Sequence, residues 1–333
     1  MIKWLVEQLK ERGFTVEEIA IPLTWKTEKD IMKSYLQWRM TNLQEASEIP
    51  ADIVIATKFP SYMVQHPRKI IWLFHQFRQI YDWAGTDLGY SCERVLQNDT
   101  RAKLIQLDNN AFNEASRIFT ISRRVGSRLK KYNGFGSKVL YPFPPDKNNY
   151  KCIDYDDFLL HVGRLEKNKR ADLIIEALGK STRKMEIVFV GEGSERISLQ
   201  KRAEELGIQK YTRFLGWVHK PELLDLYSRA AAVLFTAFDE DFGLVSTEAF
   251  LSRKPVIATS DSGGAIEIIE DGKTGIICDP NSDSLARCLE AALDKKPILK
   301  LMGENAFELI SKWSWDVIIE KLTADDMMPL RRE

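Results

Sequence analysis

The chain is poor in sulfur and histidine: four cysteines (Cys92, Cys152, Cys278 and Cys288) and four histidines stand among 333 residues. No two cysteines have C-x-x-C spacing, so neither a disulfide scaffold nor a zinc site is legible, and a reducing compartment is expected. No apolar run approaches the roughly 20 residues that cross a bilayer. The start, Met1-Ile-Lys-Trp-Leu-Val-Glu7, brings charge too early for a secretory leader. Net charge is missing as well, with 48 Lys+Arg against 48 Asp+Glu. Without a dense basic–aromatic stripe either, nucleic acid is disfavoured as a partner. The balance conceals an asymmetry: residues 1–150 hold 22 basic and 16 acidic side chains, leaving 26 and 32 for residues 151–333. Two domains with different partners are expected, the basic half facing a phosphorylated or membrane-borne acceptor, or merely water.

What the chain does have is alternation. Short β-branched runs at 16–21, 52–56, 70–74, 117–121 and 138–141 are interleaved with helical periodicity at 2–12, 28–45, 99–115 and 123–132. A proline- and asparagine-rich stretch, Tyr141-Pro-Phe-Pro-Pro-Asp-Lys-Asn-Asn-Tyr150, reads as a hinge. A second series follows, with strands at 158–162, 187–190, 212–215, 233–236, 256–258 and 275–278. This is the pattern of an α/β fold with two Rossmann-like, doubly wound parallel sheets facing across a cleft. The expected domains are 1–145 and 146–312, with 313–333 as a tail helix that returns to the first. The helix around residues 30–40 could lie on a membrane or be buried.

Five stretches follow expected strands and carry chemistry. In His161-Val-Gly-Arg-Leu-Glu-Lys-Asn-Lys169, Gly163 permits a turn, while Arg164 and Lys169 suit a diphosphate or are ordinary surface bases. Val190-Gly-Glu-Gly-Ser-Glu-Arg196 imitates a dinucleotide-binding G-x-G-x-x-G, but Arg196 stands where the third glycine belongs, so no nicotinamide or flavin is expected. Gly216 and Trp217 offer a wall for a planar base, or a tryptophan packed under a loop. Asp261-Ser-Gly-Gly-Ala-Ile-Glu267 places a glycine pair before a helix, where free N–H groups would meet an anion. Most informative is Glu240-Asp-Phe-Gly-Leu-Val-Ser-Thr-Glu248, two carboxylates about a strand-to-helix turn. Carboxylate oxygens accept well from the vicinal hydroxyls of ribose or hexose. Together these stretches point to an anionic, sugar-bearing nucleotide.

On these residues the second half resembles the nucleotide-binding domain of the retaining glycosyltransferases of family 4, which have the two-domain GT-B fold. The resemblance rests on Gly163-Arg164 with Lys169, Phe214-Leu-Gly216, the Glu240/Glu248 pair around Phe242-Gly243, Gly263-Gly264 with Glu267, and Asp271-Gly-Lys-Thr-Gly275. It covers residues 158–280, and the front half more weakly through Phe119-Thr-Ile-Ser122 and Gly136-Ser-Lys-Val-Leu-Tyr-Pro142. It implies transfer of a sugar from a nucleoside-diphosphate donor to a hydroxyl of a glycan or lipid-linked acceptor, in the cytoplasm or peripherally at its membrane face. It implies Arg164 and Lys169 at the diphosphate, Glu248 at the ribose and Glu240 at the hydroxyls of the transferred sugar. The backbone of Phe242, Gly243 and Leu244 would lie near the phosphates, with Gly163, Gly216 and Trp217 completing the nucleotide-sugar contacts. His75 would line the donor-sugar end, and Arg78 would reach acceptor or phosphate. No metal and no cofactor is expected, because fixed cations would stabilise the leaving diphosphate. Glu240 as a covalent nucleophile is the variant mechanism. A nucleotide-sugar epimerase of the same fold, or an inactive nucleotide-binding module, are the alternatives. One departure stands out: the family's front domain opens with a strand and a glycine-rich loop, whereas 2–12 already reads as the first helix. A chain lacking that strand and loop is therefore the expectation.

Overall fold

The computed structural model describes residues 1–43, 50–86, 98–294 and 296–324. Cys92 and the end of the expected helix 28–45 lie outside them. The chain divides into two compact units, Met1–Pro142 with Trp315–Glu333, and Phe143–Ser314.

Unit 1 is built on four parallel strands, β1 (Val54–Lys58), β2 (Lys69–His75), β3 (Arg117–Thr120) and β4 (Lys138–Val139), in the order β1-β2-β3-β4. Ile70 to Phe74 of β2 are all buried, as an unbroken apolar run covered on both faces must be. The helices are α1 (Ile2–Glu11), α2 (Glu28–Met40), α3 (Asn98–Asn113) and α4 (Arg123–Asn133). A capping box starts α2: Asp30 N–H donates to Thr27 Oγ1 at 3.2 Å, and Thr27 N–H to Asp30 Oδ2 at 2.9 Å. The helix ends at Met40, earlier than expected, because Thr41 turns to extended backbone. It buries Ile31, Ser34, Tyr35 and Trp38 and leaves Lys29, Lys33, Leu36 and Met40 exposed. The expected strand 16–21 does not form. A β-branched run needs a ladder to pair with, and among the described strands β1 pairs only with β2. Ile19, Leu23 and Trp25 stay exposed, Trp25 meeting Phe77 edge-on at 6.3 Å. The tail helix Trp315–Thr323 belongs to this unit. Trp315 packs edge-on against Trp72 at 6.2 Å, and Arg12 pairs with Asp316 at 2.5 Å.

Asp108 of α3 is wholly buried and accepts from Tyr35 Oη at 2.7 Å and Tyr81 Oη at 2.5 Å. Loss of hydration pushes its carboxyl up to about 7, against the pull of the tyrosine hydroxyls. The unfolded carboxyl titrates near 3.8, so the folded state binds the extra proton between these values. Its contribution to stability is complete below about pH 4 and is lost as pH rises through 7. Relative to Asp108→Asn, the native chain is expected to lose on the order of 4 kcal/mol over that window. Urea unfolding of both proteins at pH 4, 5.5 and 7 measures it; a difference that does not change with pH would refute the assignment.

Unit 2 runs β5 (Phe158–Val162), α5 (Ala171–Lys180), β6 (Glu186–Val190), α6 (Arg196–Glu205), β7 (Thr212–Gly216), α7 (Lys220–Arg229), β8 (Ala232–Phe235), α8 (Leu244–Leu251), β9 (Val256–Thr259), β10 (Gly275–Cys278), α9 (Ser282–Asp294) and α10 (Lys296–Ser311). All six strands are parallel, in the order β10-β9-β8-β5-β6-β7. Leu159, Ile174, Ile175, Ile187, Phe189, Leu234 and Ile257 form the centre of the core. The sequence of connections reverses between β5 and β8. Loops leaving the carboxyl ends of two such strands diverge to opposite faces and open a crevice.

Candidate functional site

That crevice is framed by the loop after β5, residues 163–170, and the loop after β8, residues 236–243. The two are stapled together. Phe238 N–H donates to Asn168 O at 2.8 Å, and Thr236 Oγ1 donates to the carbonyls of Lys169 and Arg170 at 3.1 and 3.0 Å. Arg170 takes a left-handed conformation (φ 51°) at the start of α5. Its guanidinium reaches Thr236 O at 2.7 Å, both oxygens of Asp261 at 2.6 and 2.8 Å, and Thr259 Oγ1 at 2.8 Å. Burial alone would raise the Asp261 carboxyl, but the bidentate arginine outweighs it and holds it below the usual range. Three strand-end loops are thus tied by one residue, which the sequence analysis did not single out.

Lys169 and Glu240 are brought together as an ion pair, Nζ to Oε2, at the crevice. Arg164 is exposed and outside that pair. Glu240 lies five residues beyond the end of β8 and bridges to Gly263, a finding that refines the expected strand-end position. Gly264 N–H already donates to Glu240 O at 2.7 Å, and Gly264–Ile268 is a short 3-10 turn. The expected helix start with a free Gly264 amide is therefore absent, because the backbone of Glu240 uses that donor. Glu248, within α8, accepts from Tyr227 Oη at 2.8 Å and Tyr150 Oη at 3.4 Å. Burial pushes this carboxyl above the ordinary range in spite of both donors. The two acids thus keep different company: one an ammonium, the other neutral hydroxyls. Phe242 is buried, and Gly243 caps α8 with so little room that a Cβ would stand 2.8 Å from that of Ala265 and 3.0 Å from the Phe235 ring. Leu244 is the first residue of the helix, where backbone N–H groups have no intrahelical partner.

The Val190-Gly-Glu-Gly run, which lacks the third glycine of a dinucleotide motif, packs closely against the neighbouring loops. A Cβ on Gly191 would lie 1.9 Å from Gly163 O, and one on Gly193 2.2 Å from Leu165 O. Through these glycines the loops after β5, β6 and β7 are laced by backbone bonds: Gly163 N–H to Val190 O at 3.0 Å, Leu165 N–H to Glu192 O at 2.9 Å, and Gly191 N–H to Gly216 O at 2.8 Å. Trp217 follows directly, 68% exposed with its ring against His219. It does not pack under a loop. His161 is buried beside Phe189, and burial lowers its imidazole to about 4, so it is neutral at pH 7.

In unit 1, His75 ends β2 half-buried, Nδ1 being 3.1 Å from Gln76 O. Arg78 is buried, bound to Asp82 at 2.5 Å and stacked over Trp83, so the expected reach to acceptor or phosphate is not what its guanidinium is doing. Among the described residues no group of three or more His, Cys, Asp or Glu is arranged to hold a metal, and no helix is long and apolar enough to cross a membrane.

Residues 145–309 match the family described as glycosyl transferases group 1. A D-inositol 3-phosphate glycosyltransferase of Corynebacterium aurimucosum is 34% identical over 50% of this chain and 42% of its own length, so the chain spans less than half of that relative. Among solved structures, sucrose-phosphate synthase from Thermosynechococcus elongatus superposes with a TM-score of 0.76 at 17% identity, over 96% of this chain and 90% of that one. The Anabaena protein HepE in complex with UDP and glucose gives 0.67 at 19%, over 97% and 88%. The structural likeness shows the fold, two Rossmann-like parallel-sheet units of the GT-B type, and the resemblance to the group 1 glycosyl transferases is confined to residues 145–309.

Proposed function

We propose that this chain transfers a sugar, with retention at the anomeric carbon, from a nucleoside-diphosphate donor to a hydroxyl of a glycan or lipid-linked acceptor. The observation that carries the reading is the Lys169–Glu240 pair at the point where strand order reverses between β5 and β8. A cation and a carboxylate on two stapled loops suit a ligand that is a phosphate at one end and a polyol at the other. As the bond from the anomeric carbon to the diphosphate breaks, negative charge grows on the leaving oxygen. Lys169 and Arg164 stabilise that charge without reorganising, which is how fixed dipoles and cations lower such a barrier. Glu240 accepts from the sugar hydroxyls, and the ammonium beside it orients its carboxylate. Glu248, steadied by Tyr227, takes the ribose, and exposed Trp217 offers a face to the base. An oxygen of the donor phosphate takes the acceptor's proton, so the scheme calls on neither a metal nor a strong protein base. The UDP and glucose bound to HepE support a donor of this class.

A panel of nucleoside-diphosphate sugars tested by thermal shift is expected to single out one donor, and turnover with it to persist in chelator. If no nucleoside diphosphate raises the midpoint, the site assignment is wrong; strict dependence on a divalent cation would remove the fixed-cation scheme. An isomerised donor released without acceptor would identify the epimerase instead. Contact with an anionic membrane surface is a further part of the proposal, supported by the outward Lys29, Lys33, Leu36 and Met40 of α2. Cosedimentation with anionic but not neutral vesicles, abolished by Lys29→Glu with Lys33→Glu, is the expected outcome. Equal recovery with both vesicles would dismiss it.

A further inference from the structure

The Lys169–Glu240 pair is flanked on both sides by backbone that side chains rarely adopt. Arg170, next after Lys169, has φ 51°, and Asp239, just before Glu240, has φ 47°. Among the described residues Arg253 is the only other non-glycine in the left-handed region. A residue with a Cβ keeps that conformation only where its surroundings compel it, and such outliers gather at functional sites. What compels it here is a closed circuit of bonds. The Arg170 guanidinium grips both carboxylate oxygens of Asp261. Asp261 O in turn accepts from Asp239 N–H at 2.9 Å, and Gly264 N–H donates to Glu240 O at 2.7 Å. The loop from Asp261 to Gly264 lies so close that a Cβ on Gly263 would stand 2.5 Å from Glu240 O. Glu240 then returns to Lys169 through the ion pair, and Lys169 is bonded to Arg170 by the chain itself. The contacts to Thr236 O and Thr259 Oγ1 engage all but one of the remaining guanidinium N–H groups. Arg170 therefore has no fork left with which to grip a phosphate.

We propose that Arg170, locked by Asp261, is the positioning residue of the candidate site. It does not touch the donor; it sets Lys169 Nζ and the Glu240 carboxylate opposite each other, so that one ligand meets both. The donor reading above supplies what the pair binds, and the circuit supplies how the pair is held.

The test first reads the pair without a donor. Lysines of the native chain are acetylated with limiting acetic anhydride and mapped by mass spectrometry. Lys169, shielded by its carboxylate partner, is expected to react slowly. Arg170→Gly puts glycine where the backbone is left-handed, so the fold is kept and the clamp alone is lost. Labelling of Lys169 should rise about 10-fold, toward that of Glu240→Gln, while Lys180 and Lys210 stay unchanged as internal standards. Asp261→Asn, which leaves residue 170 untouched, should match it. Millimolar guanidinium chloride, able to seat on Asp261, should restore slow labelling in Arg170→Gly but not in Asp261→Asn. A general loosening of the fold would give no such rescue. Inorganic pyrophosphate, the part common to all nucleoside-diphosphate donors, is the ligand probe. It should protect Lys169 in the native chain and do so about 10-fold more weakly in Arg170→Gly. Native labelling rates in Arg170→Gly and Asp261→Asn would overturn the positioning, whatever pyrophosphate does. Faster labelling in both variants without protection of the native chain would instead sink the donor reading, and with it the claim that the clamp serves a donor.

Discussion

Lys169→Ala should weaken binding of the donor by about 10- to 100-fold, the loss of roughly 1.5–3 kcal/mol that accompanies removal of one charge-assisted contact. The ammonium has two duties in the proposed site, toward the diphosphate and toward Glu240, so its removal also leaves the Glu240 carboxylate without its ion-pair partner. Both side chains keep contact with water, at 18% and 25% exposure, so solvent screens their mutual attraction. The coupling between them should be correspondingly modest, about 1 kcal/mol in a double-mutant cycle of Lys169→Ala with Glu240→Ala. Arg164→Ala is expected to act in the same direction, and independently, because Arg164 stands outside the pair. Titration calorimetry with the preferred donor and with its free nucleoside diphosphate separates the duties: Lys169→Ala should weaken both ligands, Glu240→Ala mainly the one that carries the sugar. Unchanged affinities in Lys169→Ala and Arg164→Ala together would remove the phosphate assignment.

Gly191→Ala should be the most damaging single methyl in unit 2. The new carbon would stand 1.9 Å from Gly163 O and 2.8 Å from Gly163 C, at a φ of 128° that side chains rarely adopt. What it meets is backbone rather than a pliant side chain, so the loop after β5 has to move and takes Arg164 and Lys169 with it. A cost of about 3 kcal/mol or more in urea unfolding is expected, together with loss of donor binding. Gly207→Ala is the control. There φ is also positive, at 67°, yet nothing lies within 4 Å. Only backbone strain of about 1 kcal/mol should register, with affinity intact. If Gly191→Ala behaved like Gly207→Ala, the lacing of the strand-end loops would not be what holds the crevice in shape.

Unit 2 was legible because its strands are short apolar runs bounded by glycine and charge, and because parallel strands covered on both faces leave little ambiguity of period. Each of its six expected strands is found, and Lys169 and Glu240, 71 positions apart, do meet. The failures share a cause: they concern who answers whom across the fold. Nothing local to Arg170 signals that Asp261, 91 residues on, takes its guanidinium. Tyr227 and Tyr150 carry no local sign that they hold Glu248. The Val190-Gly-Glu-Gly stretch imitates a nucleotide motif, whereas its glycines answer the carbonyls of Gly163 and Leu165. Residues 16–21 have strand propensity and, among the described strands, no neighbour to use it on. Propensity is a property of a residue; pairing belongs to two segments at once.

The tail helix imposes an order on synthesis. Trp315 is pressed to Trp72 and Asp316 to Arg12, so the first unit contains pieces that leave the ribosome more than 170 residues apart, with the whole of Phe143–Ser314 made in between. The later unit has all its parts in hand first and can mature while the earlier one still waits for its last helix. Until that helix arrives, the apolar bed around Trp72 stays uncovered, and the nascent chain is most vulnerable to aggregation there rather than at the crevice.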